Sequence, residues 1–181
     1  MERMEKEMPT ETLLDLYRAL ERKGVKIWID GGWAVDALLG EQTRPHDDVD
    51  FVVQEKDLSA LVSFLRSNGY ADIPRDDTRP WNFVLGDEFG HEVDIHVICI
   101  NDSGDGIYGP PENGQTYPAY SLTGTGGIGG HAVACMSLEY QIANHTGYKP
   151  RDKDIQDMEK LCKRFNRDLP SAYENSGSDP Q

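Results

Sequence analysis

The hydrophobic positions follow two different periods along the chain. Leu13, Leu16, Tyr17 and Leu20 recur at helical spacing, with Thr10 or Thr12 placed to cap the helix and Gly24 to end it in the left-handed region. Residues 26–29 read as a buried strand broken by Gly31 and Gly32. Residues 33–39 make a short helix stopped by Gly40, and residues 49–53 make a second strand after a polar loop. Asp57 reads as the cap of an amphipathic helix with Leu58, Leu61, Val62 and Leu65 on one face, closed by Asn68 and Gly69. Residues 71–80 read as an acidic, Pro-containing loop.

The period then changes to two. Residues 81–85 and 92–98 are strands joined through residues 86–90 as a hairpin. Residues 107–120, rich in Pro, Gly and Tyr, carry no clear period. Residues 122–130 hold five glycines and read as a flexible hairpin leading into a strand at 131–135. Ser137 caps a helix to about His145. Asp152 caps a last one with Ile155, Met158, Leu161, Cys162 and Phe165 on one face. The charged residues 1–8 are expected to fray, and the Ser/Gly/Asp-rich residues 171–181 to be a disordered tail. The expected architecture is α+β: one domain over residues 1–170, a mixed sheet with helices on one face, and two C-terminal helices at about 137–166.

Composition narrows the partners. The 181 residues carry a net charge of −14, which argues against a nucleic-acid polymer, because phosphate backbones need Lys/Arg surfaces. It suits a small cationic substrate or a metal. No apolar run approaches the about 18 residues of a membrane span. The N-terminus lacks a signal-peptide core, so no membrane association and a cytoplasmic location are expected. Cys99, Cys135 and Cys162 lie in apolar patterns and read as buried free thiols.

Asp48 and Asp50 are two residues apart on a strand, so both carboxylates point to one face, roughly 7 Å apart. Val49, Phe51 and Val53 point to the other. Such a pair is either an acidic strand edge or a site for a hard divalent cation, Mg²⁺ or Mn²⁺. Asp94 has its own alternation, with Glu92 and His96 on its face and Val93, Ile95 and Val97 on the opposite one. If its strand lies beside 49–53, three carboxylates converge. That is a geometry for metals that bind triphosphate oxygens, with a carboxylate able to take a proton from an attacking hydroxyl. Gly31-Gly32 is either a tight turn or an anion-binding turn at a helix N-terminus. Arg44 is placed to contact phosphate or to pair with a carboxylate. Lys153 is placed to reach a triphosphate or to sit solvated at its helix end. His46 and His96 read as hydrogen-bond partners of the acidic cluster rather than ligands. Trp28, Trp33 and Trp81 read as core, with Trp33 close enough to the glycine turn to contribute there. The chain has neither a P-loop nor a Gly-x-Gly-x-x-Gly turn after a strand.

Trp28-Ile29-Asp30-Gly31-Gly32-Trp33, then Arg44-Pro45-His46-Asp47-Asp48-Val49-Asp50, then Val93-Asp94-Ile95-His96 and His145-Thr146-Gly147-Tyr148 together resemble the small antibiotic nucleotidyltransferases of the polymerase-β-like superfamily. The resemblance is strongest to the lincosamide nucleotidyltransferases, with the aminoglycoside 2″-nucleotidyltransferases next, and spans about residues 10–166. It implies transfer of a nucleoside monophosphate from an NTP to a drug hydroxyl with release of pyrophosphate. It also implies that Asp48 and Asp50 are metal ligands, that Asp94 is a third carboxylate acting as metal ligand, general base or both, and that Gly31, Gly32 and Arg44 bind the nucleotide. Gly32 stands where the superfamily often has a phosphate-touching serine, so backbone N–H groups and Trp33 are left to do that work. The alternatives are an aminoglycoside acceptor, a protein or RNA acceptor on the same fold, a non-enzymatic metal- or nucleotide-binding module, and a metal-dependent hydrolase. A homodimer completing the site stays open.

Overall fold

The computed structural model describes residues 6–145 and 149–174. Its centre is a mixed sheet in the order β3-β4-β5-β2-β1-β9-β8, with β6 and β7 continuing from the end of β5. The strands are β1 (Ile27–Asp30), β2 (Asp48–Gln54), β3 (Ala71–Ile73), β4 (Asn82–Gly86), β5 (Glu92–Ile100), β6 (Gly106–Tyr108), β7 (Thr116–Tyr117), β8 (Gly124–Ile128) and β9 (His131–Cys135). The helices are α1 (Thr10–Arg22), α2 (Gly31–Leu39), α3 (Glu55–Ser67), α4 (Leu138–Asn144), α5 (Asp152–Phe165) and the short α6 (Ser171–Glu174). β2 runs parallel to β5 and antiparallel to β1. This is the α+β arrangement expected.

Strand alternation sorts the sheet's two faces. Val49, Phe51 and Val53 of β2 and Val93, Ile95 and Val97 of β5 point one way and are buried with Leu13, Leu16 and Leu20 of α1 and Leu61 and Leu65 of α3. The opposite face carries Asp48, Asp50, Asp94 and His96, and beyond them a smaller cluster of Trp28, Val52, Ile98, Tyr117 and Met136. α5 packs on α2 through Val35, Met158 and Leu161, with Tyr173 completing the contact. One face is therefore apolar and covered by helices. The other is free to hold charge.

Several local expectations change. Thr10 opens α1 behind Pro9 instead of capping it, and its hydroxyl donates to Gln42 Oε1 (2.7 Å). Asp57 lies in the first turn of α3, where Gln54 is the cap. Asp152 is the first residue of α5, and the N–H at the Arg151 cap position donates to Asp154 Oδ2 (2.9 Å). The acidic loop begins with the edge strand β3. The aperiodic 107–120 segment holds parts of β6 and β7. The 122–130 hairpin is β8 turning at Gly129 and Gly130, both with positive φ. The tail does not start at residue 171: Tyr173 is buried and its hydroxyl donates to His145 O (2.6 Å), which ties α6 to the end of α4. Residues 175–181 and the Thr146-Gly147-Tyr148 part of the quoted motif lie outside the described residues. All three cysteines are free, but Cys99 is exposed, its thiol against Glu55. Among the described residues no helix is long and apolar enough to cross a membrane.

Candidate active site

The strand register brings three carboxylates side by side. Asp30 at the end of β1 is opposite Asp50, and Asp50 is opposite Asp94 across the parallel β2–β5 pair. Asp48 stands two residues before Asp50 and opposite Glu92. Glu92 is matched by Lys6 (2.5 Å) and Arg75 (2.7 Å). Among the described residues Asp48 has no such ion pair, and it lines the cleft.

His96 joins the row from the same face of β5. Its Nε2 donates to Asp50 Oδ1 (3.0 Å) and lies 3.8 Å from Asp94 Oδ1. Ligand atoms of Asp50, Asp94 and His96 all lie within 4.8 Å of one another, a set able to hold a metal ion. Asp48 is beside this group and outside it.

The crowding shows in the ionisation of these groups. Burial, then the charge of Asp50, pushes the Asp48 carboxyl up to about 6, with Lys153 pulling the other way. Burial pushes Asp94 up to about 6, against the pull of His96 and with the push of Asp50 and Asp48. Burial raises Asp30 as well, helped by Asp50. For His96, burial favours the neutral ring, but the hydrogen bond and charge of Asp50 and the charge of Asp94 outweigh it and lift the ring to about 9. The charge of His96 therefore works against the rise at Asp94 and Asp30, and that of Lys153 against the rise at Asp48.

The row opens into a cleft of about 790 Å³. One wall is the N-terminus of α2. Asp30 caps this helix by accepting from Gly31 N–H (2.8 Å), and Gln141 Nε2 of α4 donates to the same oxygen (2.9 Å). The glycine pair is required by contact. Gly31 has φ +63°, and a Cβ there would overlap Asp50 Oδ2. A Cβ on Gly32 would meet Arg44 Nη2 at 2.5 Å and His46 Nδ1 at 2.6 Å. The turn thus lets the carboxylate row and two basic groups approach one helix N-terminus, where backbone N–H groups favour anions. The opposite wall is Tyr108, Gln115, Tyr117 and Tyr140, whose rings form a ladder at 5.8 Å and 5.5 Å. Lys153 lines the cleft from the start of α5. Asp94 flanks it through His96.

Gly31, Gly32, Arg44, Lys153, Asp48 and Asp50 therefore share one cleft. Arg44 is not free within it. It forms a two-pronged ion pair with the buried Asp157 of α5 (3.0 and 2.8 Å), so its first role is to fasten the loop before β2 to the last long helix. Trp33 is not part of the cleft. The residue is 2% exposed, in the core, with its ring tilted against His46 at 4.7 Å. It cannot touch a phosphate from there. His46 bonds not to the carboxylate row but to Asp36 of α2 (2.5 Å). Asp30, Gln141 and the three tyrosines are site residues to which the sequence alone assigns no role. Asp30 was readable as a carboxylate at a strand end beside a glycine turn. Tyr108 and Tyr117, in a segment without period, gave no signal, and Tyr140 lies on the helix that Ser137 caps.

The model of the aminoglycoside-2″-adenylyltransferase family matches residues 12–161 of this chain. The chain belongs to that family. A lincosamide resistance protein of Staphylococcus haemolyticus is 31% identical over 150 residues, 82% of this chain and 89% of the relative. A 2″-aminoglycoside nucleotidyltransferase of Escherichia coli is 42% identical, but over 50 residues, 26% of this chain and 28% of the relative. The lincomycin-bound crystal structure of the lincosamide antibiotic adenylyltransferase LnuA superposes with a TM-score of 0.74 at 28% identity, covering 86% of this chain and 97% of that one. That of ANT(2″)-Ia in complex with adenylyl-2″-tobramycin gives 0.66 at 23% identity, covering 86% and 88%, a likeness of fold. The protein is a nucleotidyltransferase of this family.

Proposed function

We propose that the protein transfers a nucleoside monophosphate from a Mg²⁺–NTP to a hydroxyl of a lincosamide, with release of pyrophosphate and resistance to the drug. The observation that carries the reaction is the pairing of Asp50 with Asp94 across β2 and β5, next to the Gly31-Gly32 turn. Lincosamide is favoured because the likeness to the lincosamide resistance protein runs through most of the chain. An aminoglycoside acceptor is the second reading, favoured by the family model.

The donor set suits a hard divalent ion: carboxylates crowded enough to raise two of their ionisations, with ligand atoms in mutual reach. Asp50 and Asp94 would hold the ion, with Asp48 beside them. When bound there, a metal would supply charge neutralisation of the triphosphate and polarisation of the phosphorus under attack. The rest falls to the chain. The start of α2 at Gly32 receives the phosphate chain, with the positive charge of Lys153 facing it, while the Gly31 N–H stays on Asp30. The Asp94 carboxylate accepts the proton of the acceptor hydroxyl as that oxygen bonds to the α-phosphorus. The bond from the α-phosphorus to the bridging oxygen breaks, and pyrophosphate leaves along the glycine turn. Holding both reactants in line is where most of the rate is gained.

Expression in a susceptible host should raise the inhibitory concentration of lincomycin and leave that of tobramycin unchanged, with Asp50→Asn abolishing the rise. A rise for tobramycin alone would establish the second reading, and no rise for either would contradict both.

The same geometry predicts a pH effect on stability. In the folded protein Asp48 and Asp94 keep protons up to about 6, against the ordinary 3.8. The fold therefore binds more protons than the unfolded chain between those values, and stability falls as pH rises through them. His96, lifted from 6.5 to about 9, adds a further fall between those values. Thermal melts without metal should thus drop from pH 5 to pH 8. The Mg²⁺-induced rise in Tm should be larger at pH 8 than at pH 5, because the ligands must be deprotonated. An equal rise at both pH values would contradict this.

A further inference from the structure

The imidazole of His96 touches three elements at once. It sits on β5. Its Nε2 donates to Asp50 Oδ1 of β2 at 3.0 Å, and its Nδ1 lies 3.3 Å from Tyr108 Oη at the end of β6. The ring is mostly enclosed, its side chain 16% exposed. Tyr108 is itself fixed. Its N–H donates to Gln115 O (3.1 Å), its ring meets Tyr117 at 5.8 Å, and the next residue, Gly109, lies so close to the Trp81 indole that a Cβ there would meet Nε1 at 2.6 Å. From Asp50 to Tyr140 there is thus a continuous line: carboxylate, imidazole, then the ladder Tyr108, Tyr117 and Tyr140. This line joins the floor of the cleft to its far wall. A histidine serving only to fill space on this face would need neither nitrogen engaged.

We propose that His96 is a positioning residue that couples the two sides of the cleft: through Nε2 it orients Asp50, and through Nδ1 it holds Tyr108 and the substrate-facing tyrosine wall at a fixed distance from the carboxylates. The proposal rests on the nucleotidyl-transfer reading given above for what the cleft does, but the Asp50 half can be read without turnover. Partners that orient ligating side chains in this way are worth about 10- to 100-fold in affinity or activity.

The two nitrogens can be separated by substitution, because an Asn amide falls near Nδ1 and a Gln amide near Nε2. The test compares His96→Asn, His96→Gln, Tyr108→Phe and the double variant His96→Gln/Tyr108→Phe. Circular dichroism melts check that each folds. Mn²⁺ binding is read by electron paramagnetic resonance, and kcat and KM by pyrophosphate release. His96→Asn, which loses the Asp50 contact, should weaken Mn²⁺ binding and lower kcat by about 10- to 100-fold. His96→Gln, which leaves an amide near Nε2, should lose less Mn²⁺ affinity and less kcat than His96→Asn and should raise the KM of one substrate. Tyr108→Phe should raise the KM of that same substrate by a similar factor, and the double variant should be no worse than either single change, because both remove one contact.

Multiplying effects in the double variant, or equal loss of Mn²⁺ affinity in the Asn and Gln variants, would overturn the coupling. Wild-type protein that binds Mn²⁺ but releases no pyrophosphate would instead overturn the transfer reading, while the Mn²⁺ comparison still decides the Asp50 contact.

Discussion

Asp94→Asn should lower kcat by about 10²- to 10⁴-fold, the range expected when a positioned general base is removed. The substitution keeps the shape of the side chain and its place opposite Asp50 on β5. It removes the charge and the oxygen that receives the acceptor's proton. NTP binding should survive in part, because the glycine turn at the start of α2, Asp50 and Lys153 are untouched. Pyrophosphate release measured beside nucleotide binding by calorimetry checks both halves. Near-normal turnover would remove Asp94 from the reaction.

Gly31→Ala should be nearly as damaging for a different reason. Gly31 has φ +63°, and the added methyl group would land 3.1 Å from the Asp50 carboxyl carbon and overlap its Oδ2. The left-handed backbone conformation costs about 1–2 kcal/mol for a residue with a Cβ, which lowers Tm by a few degrees, about 2–4 °C per kcal/mol in a chain of this size. The larger consequence is displacement of Asp50, and a shift of about 1 Å in a reacting group can cost about 10²-fold in rate. Gly40 provides the control. It has φ +78° at the end of α2, with nothing within 4 Å of its Cβ position. Gly40→Ala should therefore give a similar fall in Tm with activity retained. Equal activity in the two variants would show that contact with Asp50 does not matter.

The carboxylate row was legible in the sequence because it obeys the period of a strand. Val49, Phe51 and Val53 alternate with Asp48 and Asp50, and Val93 and Ile95 with Asp94, so each strand states which face is buried. The helices α1, α3 and α5 were legible for the same kind of reason, with errors of a few residues at their caps. What escaped depends on contacts that no local period encodes. Arg44 could have faced phosphate or a carboxylate, and its partner Asp157 lies 113 residues later. Trp33 follows the glycine turn in sequence, but the helical turn swings its ring away from the cleft into the core. Tyr108, Tyr117 and Tyr140 come together only because β6 and β7 extend from the end of β5 and α4 packs beside them. Tyr173 sits in a segment whose composition suggests disorder, yet its ring is buried and its hydroxyl donates to His145 O.

The most direct measurement is the mass of the drug after incubation with the protein, Mg²⁺ and each NTP in turn. The account predicts that lincomycin gains one nucleoside monophosphate, that the gain requires the metal, and that it vanishes with Asp50→Asn. An unchanged mass for lincomycin and for every aminoglycoside tried, from protein that binds metal and NTP, would contradict it.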